Sequence, residues 1–138
     1  MRIILPYIFL VFIGCNNTNN KDILGRETPL AANGIIGKWQ LEATKISPGG
    51  PVLDWTLVSD GSIYTFEGDG TFSFIDANNT DVNRSGTFKV EENELFLNFV
   101  RDGQNRDATY YMNFRDGKII LQFIGCIEEC SERYRRIN

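Results

Sequence analysis

The chain has 138 residues, with 18 acidic and 14 basic side chains and a formal net charge of −4. This length suits one folded domain rather than two, and the acidic balance, with no basic patch interleaved with aromatic residues, argues against a nucleic-acid partner. Histidine, the commonest general base and metal ligand, is absent, and no nucleophile elbow or phosphate-binding loop occurs. We therefore expect no enzyme, no catalytic residue, no cofactor and no metal site.

The first predicted element is a secretion signal over residues 1–14. Arg2 supplies positive charge and residues 3–13 form an apolar run, the pattern of a signal peptide. The run is too short to cross a bilayer, which takes about 20 apolar residues. It ends at Gly14-Cys15, which resembles the bacterial lipobox, where a small residue precedes a cysteine that is acylated. We expect lipidation of Cys15 and a membrane partner; a buried thiol, or cleavage elsewhere, is the alternative.

The second predicted element is a flexible polar tether over residues 15–33. Residues 16–22 are polar throughout and no apolar period follows, so the segment cannot form a core. A flexible linker of this length spans about 25 Å, which would hold a domain of residues 34–138 close to a membrane. By resemblance to bacterial lipoproteins we expect a place in the cell envelope, at the outer membrane, because Asn16 replaces the aspartate that retains enterobacterial lipoproteins at the inner membrane.

Beyond residue 34 the apolar period is two and turn residues recur every eight to twelve positions, which is typical of an all-β sandwich or barrel. Eight consecutive antiparallel strands close naturally into an up-and-down barrel, which leaves no sheet edge exposed. The loop 47–61 contains two prolines and three glycines, which excludes regular pairing there, and 101–107 is a charged turn. The predicted strands cover 36–46, 62–67, 71–75, 85–91, 94–100, 108–114, 118–124 and 131–137.

Nearly all of the side chains predicted to point inward are large. They are Trp39, Leu41, Tyr64, Phe66, Phe72, Phe74, Phe88, Val90, Leu95, Leu97, Phe99, Tyr110, Met112, Phe114, Ile119, Leu121 and Phe123. Such a set could fill an eight-stranded barrel at native packing density. The strand 118–124 is apolar on both faces, which also predicts a contact outside the barrel.

Cys126 and Cys130 are the two cysteines that remain once Cys15 is acylated. Disulfides persist in exported proteins, so we expect these two to be bridged, and closing so short a loop stabilises the fold by about 2 kcal/mol. Two free thiols or half of a metal site are the alternatives. The chain has no second cysteine pair to complete a zinc site.

Several of these motifs together resemble the lipocalins. Gly37-Lys38-Trp39 is similar to the Gly-x-Trp signature of that family, whose tryptophan closes one end of an eight-stranded barrel. The resemblance implies a basic residue of the last strand across Trp39, a part for Arg135 or Arg136. It also implies that residues 47–61 partly cover the open end.

The chain is more specifically similar to short lipocalin-like lipoproteins of Bacteroidetes. The shared motifs are the lipobox, the Gly-Lys-Trp strand, a hairpin with Phe66, Gly70 and Thr71, and an aromatic-Arg-Ile ending. The resemblance covers residues 34–138 and implies that the barrel binds a small hydrophobic or amphipathic ligand.

A ligand pocket, if present, is expected at the covered open end. Its predicted lining is Trp55, Leu57, Tyr64 and Tyr110 or Tyr111, because tyrosine joins an apolar body to a polar tip. The alternative is a barrel with a filled core that acts through its surface on an envelope protein or a glycan.

Overall fold

The structure is a computed structural model that describes residues 32–47, 49–50 and 54–138. The predicted signal peptide 1–14, the anchor Cys15 and the tether up to residue 31 lie outside these residues. A four-residue helix, α1 (Ala32–Ile35), includes the last two residues of the predicted tether. No helix within the described ranges is long and apolar enough to span a membrane.

Nine strands follow α1, and each pairs with its neighbours in antiparallel fashion. They are β1 (Gly37–Ile46), β2 (Thr56–Leu57), β3 (Ile63–Phe66), β4 (Thr71–Ile75), β5 (Arg84–Glu91), β6 (Glu94–Arg101), β7 (Gln104–Arg115), β8 (Lys118–Phe123) and β9 (Cys130–Ile137). The order β1-β3-β4-β5-β6-β7-β8-β9 returns to β1, which pairs with β9 from Lys38 to Ile46. The predicted closed eight-stranded antiparallel barrel is therefore confirmed.

One part of the loop 47–61 is paired, contrary to the prediction. Thr56 and Leu57 of β2 pair with Thr44 and Ala43 of β1. The cause is a difference in length, because β1 has ten residues and β3 has only four. The free edge of β1 beyond Gln40 thus takes β2 as a partner, so that β2 and β3 together occupy one position of the barrel.

The predicted turn at 101–107 is also shorter than expected. Its reversal is made by Asp102 and Gly103, with φ of 53° and 71°, the left-handed conformation at both positions that a tight two-residue hairpin requires. Residues 104–107 belong to β7. Their side chains are exposed, so no apolar alternation marked them as a strand in the sequence.

The interior of the barrel is a continuous apolar cluster. Sixteen of the seventeen side chains predicted to face inward belong to it, and the exception is Phe123, which is 39% exposed. The sequence prediction missed Ile35 and Tyr134, which are 0% and 1% exposed. The core therefore extends into α1 and the last strand.

The two ends of the barrel differ in character. We call the end where β1 begins the closed end and the end where β1 finishes the open end. Among the described residues, eight large apolar side chains are exposed, and seven of them lie on the half toward the open end. We call these seven the apolar rim: Ile46, Leu57, Ile75, Val100, Phe123, Ile124 and Ile127.

Candidate functional site

The closed end is sealed by Trp39, which is 1% exposed. Its indole Nε1 donates a hydrogen bond to the carbonyl of Ile35 at 2.6 Å. The guanidinium carbon of Arg136 lies 4.8 Å from the centre of the Trp39 ring, within the range of a cation–π contact. Arg136 also donates to the carbonyls of Gly34 and Ile36, at 3.0 Å each. Among the described residues, Trp39 and the Arg136 guanidinium across it thus cover this end.

Two other residues predicted at this end are placed as follows. Gly37 has a φ of 125°, a backbone conformation that residues with a side chain rarely adopt. Arg135 lies on the outer face, where its Nη2 donates to Oε1 of Gln40 at 2.5 Å. Of the two candidate arginines, Arg136 is therefore the one that covers Trp39.

The open end contains a hollow with a volume of about 260 Å³. It is lined by Ile46, Tyr110, Phe123, Cys126, Cys130, Ser131 and Glu132. The rings of Tyr110 and Phe123 lie 5.5 Å apart between their centres and form an aromatic wall. The hydroxyl of Tyr110 and the carboxylate of Glu132 supply polarity on the inner side. Apolar walls with a few polar groups are typical of a small-molecule site.

The predicted disulfide is confirmed, and it forms part of the wall of this hollow. Cys126 and Cys130 are bridged, and the loop between them is tied to the end of β1. Lys45 forms an ion pair with Glu129 at 3.1 Å, and the amide of Ser47 donates to the carbonyl of Glu129 at 2.9 Å. The bridge and these contacts fix one side of the opening.

Below the hollow the barrel encloses a group of polar side chains that we call the inner polar cluster. It takes members from β3, β5, β7 and β9, which are alternate strands of the barrel, so the side chains converge in one layer. Nη2 of Arg84 donates to the Tyr64 hydroxyl at 2.8 Å, and the Tyr134 hydroxyl donates to Oε2 of Glu132 at 2.7 Å. The members are Tyr64, Arg84, Tyr110, Glu132 and Tyr134.

The three tyrosines of the cluster are held in their neutral form. Burial raises the pKa of Tyr64 and of Tyr134 well above 10, and the negative charge of Glu132 adds to the effect on both. Burial and then Glu132 also raise the pKa of Tyr110. All three hydroxyls thus remain protonated at neutral pH and can act as hydrogen-bond donors.

Arg84 and Glu132 were not among the site residues predicted from the sequence. The alternation of inward and outward residues could have revealed them, because Arg84 lies an even number of positions from the inward Phe88 and Val90 and so shares their face of β5. Glu132 likewise shares its parity with the buried Tyr134. A charged residue at an inward position of an apolar strand is the signal that was passed over.

The predicted ligand-lining residues do not come together at one place. Tyr64 and Tyr110 belong to the inner polar cluster, and Tyr110 lines the hollow. Tyr111 is on the outer face and 48% exposed, because neighbours in a strand point to opposite sides. Leu57 is 77% exposed on β2, and Trp55 lies outside the barrel. Among the predicted lining residues, Tyr110 therefore lines this hollow, whereas Tyr111, Leu57 and Trp55 do not.

Trp55 belongs instead to a group on the outer face, which we call the outer cluster. The guanidinium carbon of Arg133 lies 4.8 Å from the centre of the Trp55 ring. Oε1 of Glu42 accepts hydrogen bonds from Nζ of Lys118 at 2.7 Å and Nε of Arg133 at 2.6 Å. Burial acts to raise the pKa of Glu42, but the hydrogen bonds and charges of its two partners lower it below 4.5.

A second hollow of about 260 Å³ lies beside the outer cluster, and Ile120 contributes to its lining. Ile120 is an outward apolar residue of β8, the strand for which the sequence predicts a contact outside the barrel, and that contact stays a prediction. A larger groove runs along the turn from Glu91 to Glu94, but the residues around it are mostly exposed and offer no apolar wall. No group of three or more acidic or cysteine side chains within the described ranges could hold a metal ion.

The match to a known family agrees with this architecture. A family model described as a lipocalin-like domain matches residues 35–121, which is more than half of the chain. The solved structures that match include a crystal structure of a mutant of the fluorescent protein UnaG. That chain is 14% identical, with a TM-score of 0.49, and the match covers 78% of this chain and 99% of UnaG. No curated protein matches the sequence.

Proposed function

As this chain belongs to the family of lipocalin-like domains, we propose that its barrel binds a small hydrophobic or amphipathic molecule through the open end. The observation that carries the proposal is the contrast between the two ends. Trp39 seals one end, whereas the other holds a hollow of about 260 Å³ with aromatic walls and polar groups on its inner side. Two members of the apolar rim, Ile46 and Phe123, line this hollow, which suits a ligand that is only partly enclosed.

The volume limits the size of the ligand. Pockets for drug-sized ligands have volumes of about 300–1,000 Å³, so this hollow lies just under the lower bound. The core below the hollow is packed, which is what the alternative of a filled barrel requires. A ligand can therefore occupy only the upper part of the interior. We infer a ligand with a short apolar chain or a single ring system, part of which extends over the rim.

Thermal unfolding with simple probes tests this proposal. The full chain carrying Cys15→Ala, which removes the predicted acylation site, is unfolded in the presence of 1-decanol, decanoate or decylamine. A probe at 100 times its dissociation constant stabilises the fold by about 2.7 kcal/mol, which raises Tm by roughly 10–20 °C in a domain of this size. A failure of all three probes to raise Tm would refute the proposal.

A matched pair of variants locates the binding. Ile46 and Ile75 both lie on the apolar rim and are similarly exposed, at 56% and 52%, but only Ile46 lines the hollow. Ile46→Trp should obstruct the opening and weaken binding at least tenfold, whereas Ile75→Trp should leave it unchanged. Equal losses in the two variants would show that the probes bind elsewhere.

We further propose that Cys15 anchors the barrel to a membrane of the cell envelope, at the outer membrane. The chain joins the barrel at the closed end, since β1 begins there, so an anchor on this side leaves the open end accessible. Two acyl chains on one residue make such anchoring stable. Mass spectrometry of the mature N-terminus and fractionation of Cys15→Ala test it, with Cys126→Ser as the control. Membrane attachment retained in Cys15→Ala would contradict the anchor.

The outer cluster supports a second candidate function, recognition of an envelope protein or a glycan. An aromatic ring beside cationic groups and a hollow is an arrangement suited to sugar or side-chain binding. A glycan array probed with the labelled chain tests this, and Trp55→Ala should abolish any signal that Leu57→Ala retains. A signal that survives Trp55→Ala would exclude this surface.

A further inference from the structure

Arg84 is a charged residue at an inward position of the barrel, where it has no anionic partner. It is the first residue of β5 and pairs with Phe74 of β4. Its guanidinium carbon lies 4.1 Å from the centre of the Phe74 ring and 5.1 Å from that of Phe99. The guanidinium is therefore held between two aromatic rings in the upper part of the interior.

The hydrogen bonds of this guanidinium are incomplete. Nη2 donates to the Tyr64 hydroxyl at 2.8 Å and Nη1 to the carbonyl of Val82 at 3.3 Å. Nε of Arg84 is buried and has no hydrogen-bond partner in the structure. Buried polar atoms are nearly always satisfied, and an exception calls for a cause such as a ligand site.

The charge of Arg84 is equally uncompensated. Six ion pairs occur among the described residues, and none of them includes Arg84. A guanidinium stays protonated in proteins, so Arg84 cannot avoid the desolvation cost of its charge by losing a proton. Contacts with aromatic faces recover only part of the hydration that a part-buried cation loses. Within the described residues, Arg84 thus has no ion-pair partner.

From these observations we propose that Arg84 binds a carboxylate, or a similar oxyanionic group, on the ligand of the barrel. This inference rests on the proposed function and adds the chemical class of the ligand. Arg84 does not itself line the hollow, but Tyr110 does, and Tyr110 points into the same interior layer as Arg84 and Tyr64. A ligand that enters beside Tyr110 brings its polar end toward Arg84.

Glu132, the other charged member of the inner polar cluster, does not take this role of counter-ion. Its strand β9 lies four positions from β5 around the barrel, which places the two residues on opposite walls. Oε2 of Glu132 is already engaged by the Tyr134 hydroxyl at 2.7 Å. The oxyanion of the ligand therefore belongs on the β5 wall, with the neutral hydroxyls of Tyr64 and Tyr110 as further donors.

Three probes that share a ten-carbon tail and differ in the head group test the inference. Decanoate, 1-decanol and decylamine are titrated by calorimetry into the full chain carrying Cys15→Ala. We expect decanoate to bind about 10- to 100-fold more tightly than 1-decanol, the ratio that a charge-assisted hydrogen bond provides. Equal affinity of all three, or tightest binding of decylamine, would overturn the role of Arg84 but leave the ligand-binding hollow intact. Binding of none would overturn both proposals.

Variants of Arg84 separate recognition from folding. Arg84→Met should remove the preference for decanoate over 1-decanol, while Arg106→Met, a change of an exposed arginine on β7, should keep it. Replacing a part-buried cation that has no ion-pair partner by an apolar side chain removes its desolvation cost, so Arg84→Met should unfold at the same or a higher Tm. If that variant does not fold, Arg84→Lys should retain the charge but reduce the preference. A preference unchanged in the folded Arg84 variants would refute the assignment.

Discussion

Replacement of Trp39 gives the most direct test of how the barrel is closed. The residue is 1% exposed, and removing a buried aromatic side chain costs about 3–5 kcal/mol. The lost hydrogen bond to the carbonyl of Ile35 adds about 1 kcal/mol, and the lost contact with Arg136 adds about 0.5–2 kcal/mol. We therefore expect Trp39→Ala to lower the free energy of unfolding by about 4.5–8 kcal/mol. A domain of this size has only about 5–15 kcal/mol in total.

Urea unfolding followed by circular dichroism measures this loss, and the chain contains a matched control. It has two tryptophans, and Trp55 lies on the outer face, so Trp55→Ala should cost less than about 1 kcal/mol. A double-mutant cycle of Trp39→Ala with Arg136→Met should give a coupling of about 1 kcal/mol. A loss below about 2 kcal/mol for Trp39→Ala, or equal losses at the two tryptophans, would refute the role of Trp39 as the seal.

Three further predictions concern stability. Cys126→Ser with Cys130→Ser should lower the free energy of unfolding by about 2 kcal/mol, the chain-entropy value for so short a loop, and an unchanged urea midpoint would contradict this. Burial alone would raise the pKa of Glu42, but the hydrogen bonds and charges of its two cationic partners outweigh burial and lower the pKa. The stabilising effect of this carboxylate is therefore present above about pH 4.5 and is lost as the pH falls through the pKa of the folded state. Glu42→Gln should flatten this loss of stability in acid, and an unaltered pH profile would count against the ion pairs. Burial raises the pKa of Tyr64 well above 10, so the contribution of this neutral hydroxyl to stability is fully present below pH 10 and falls as the pH rises further. Tyr64→Phe should reduce that alkaline loss, measured as the urea midpoint between pH 8 and 11. An equal loss in both proteins would contradict burial of this hydroxyl.

Much of the fold could be predicted because the controlling interactions are local. Alternation marked sixteen of the seventeen interior residues correctly. The predicted strands 108–114 and 118–124 leave only a short link between them, and Asp116 and Gly117 in that link have φ values of 52° and 72°, the conformation of a tight hairpin turn. Strand length was predicted less well where both faces are exposed, as at residues 104–107, because no apolar pattern is needed there.

The candidate site was predicted less well for a physical reason. Its residues meet through closure of the barrel, since Arg84 and Tyr64 are 20 positions apart and Arg133 and Glu42 are 91 positions apart. The apolar body and polar tip of tyrosine suggested Tyr110 or Tyr111 as lining residues. Because neighbouring residues of a strand point to opposite faces, Tyr111 lies on the outer face when Tyr110 points inward. The chemistry of the interior depends on charged residues that composition alone assigns to the surface.

The sequence by itself predicted export and an anchor at Cys15, which stay predictions, and it determined an antiparallel all-β domain, one cysteine pair and a large apolar interior. Each of these follows from spacing over a few residues. Only the tertiary structure decided that β2 completes the edge of β1, that Arg136 rather than Arg135 covers Trp39, and that Nε of Arg84 is buried without a hydrogen-bond partner and its charge without an ion pair among the described residues. These features depend on the register around a closed barrel, which brings distant strands together and which no local pattern specifies.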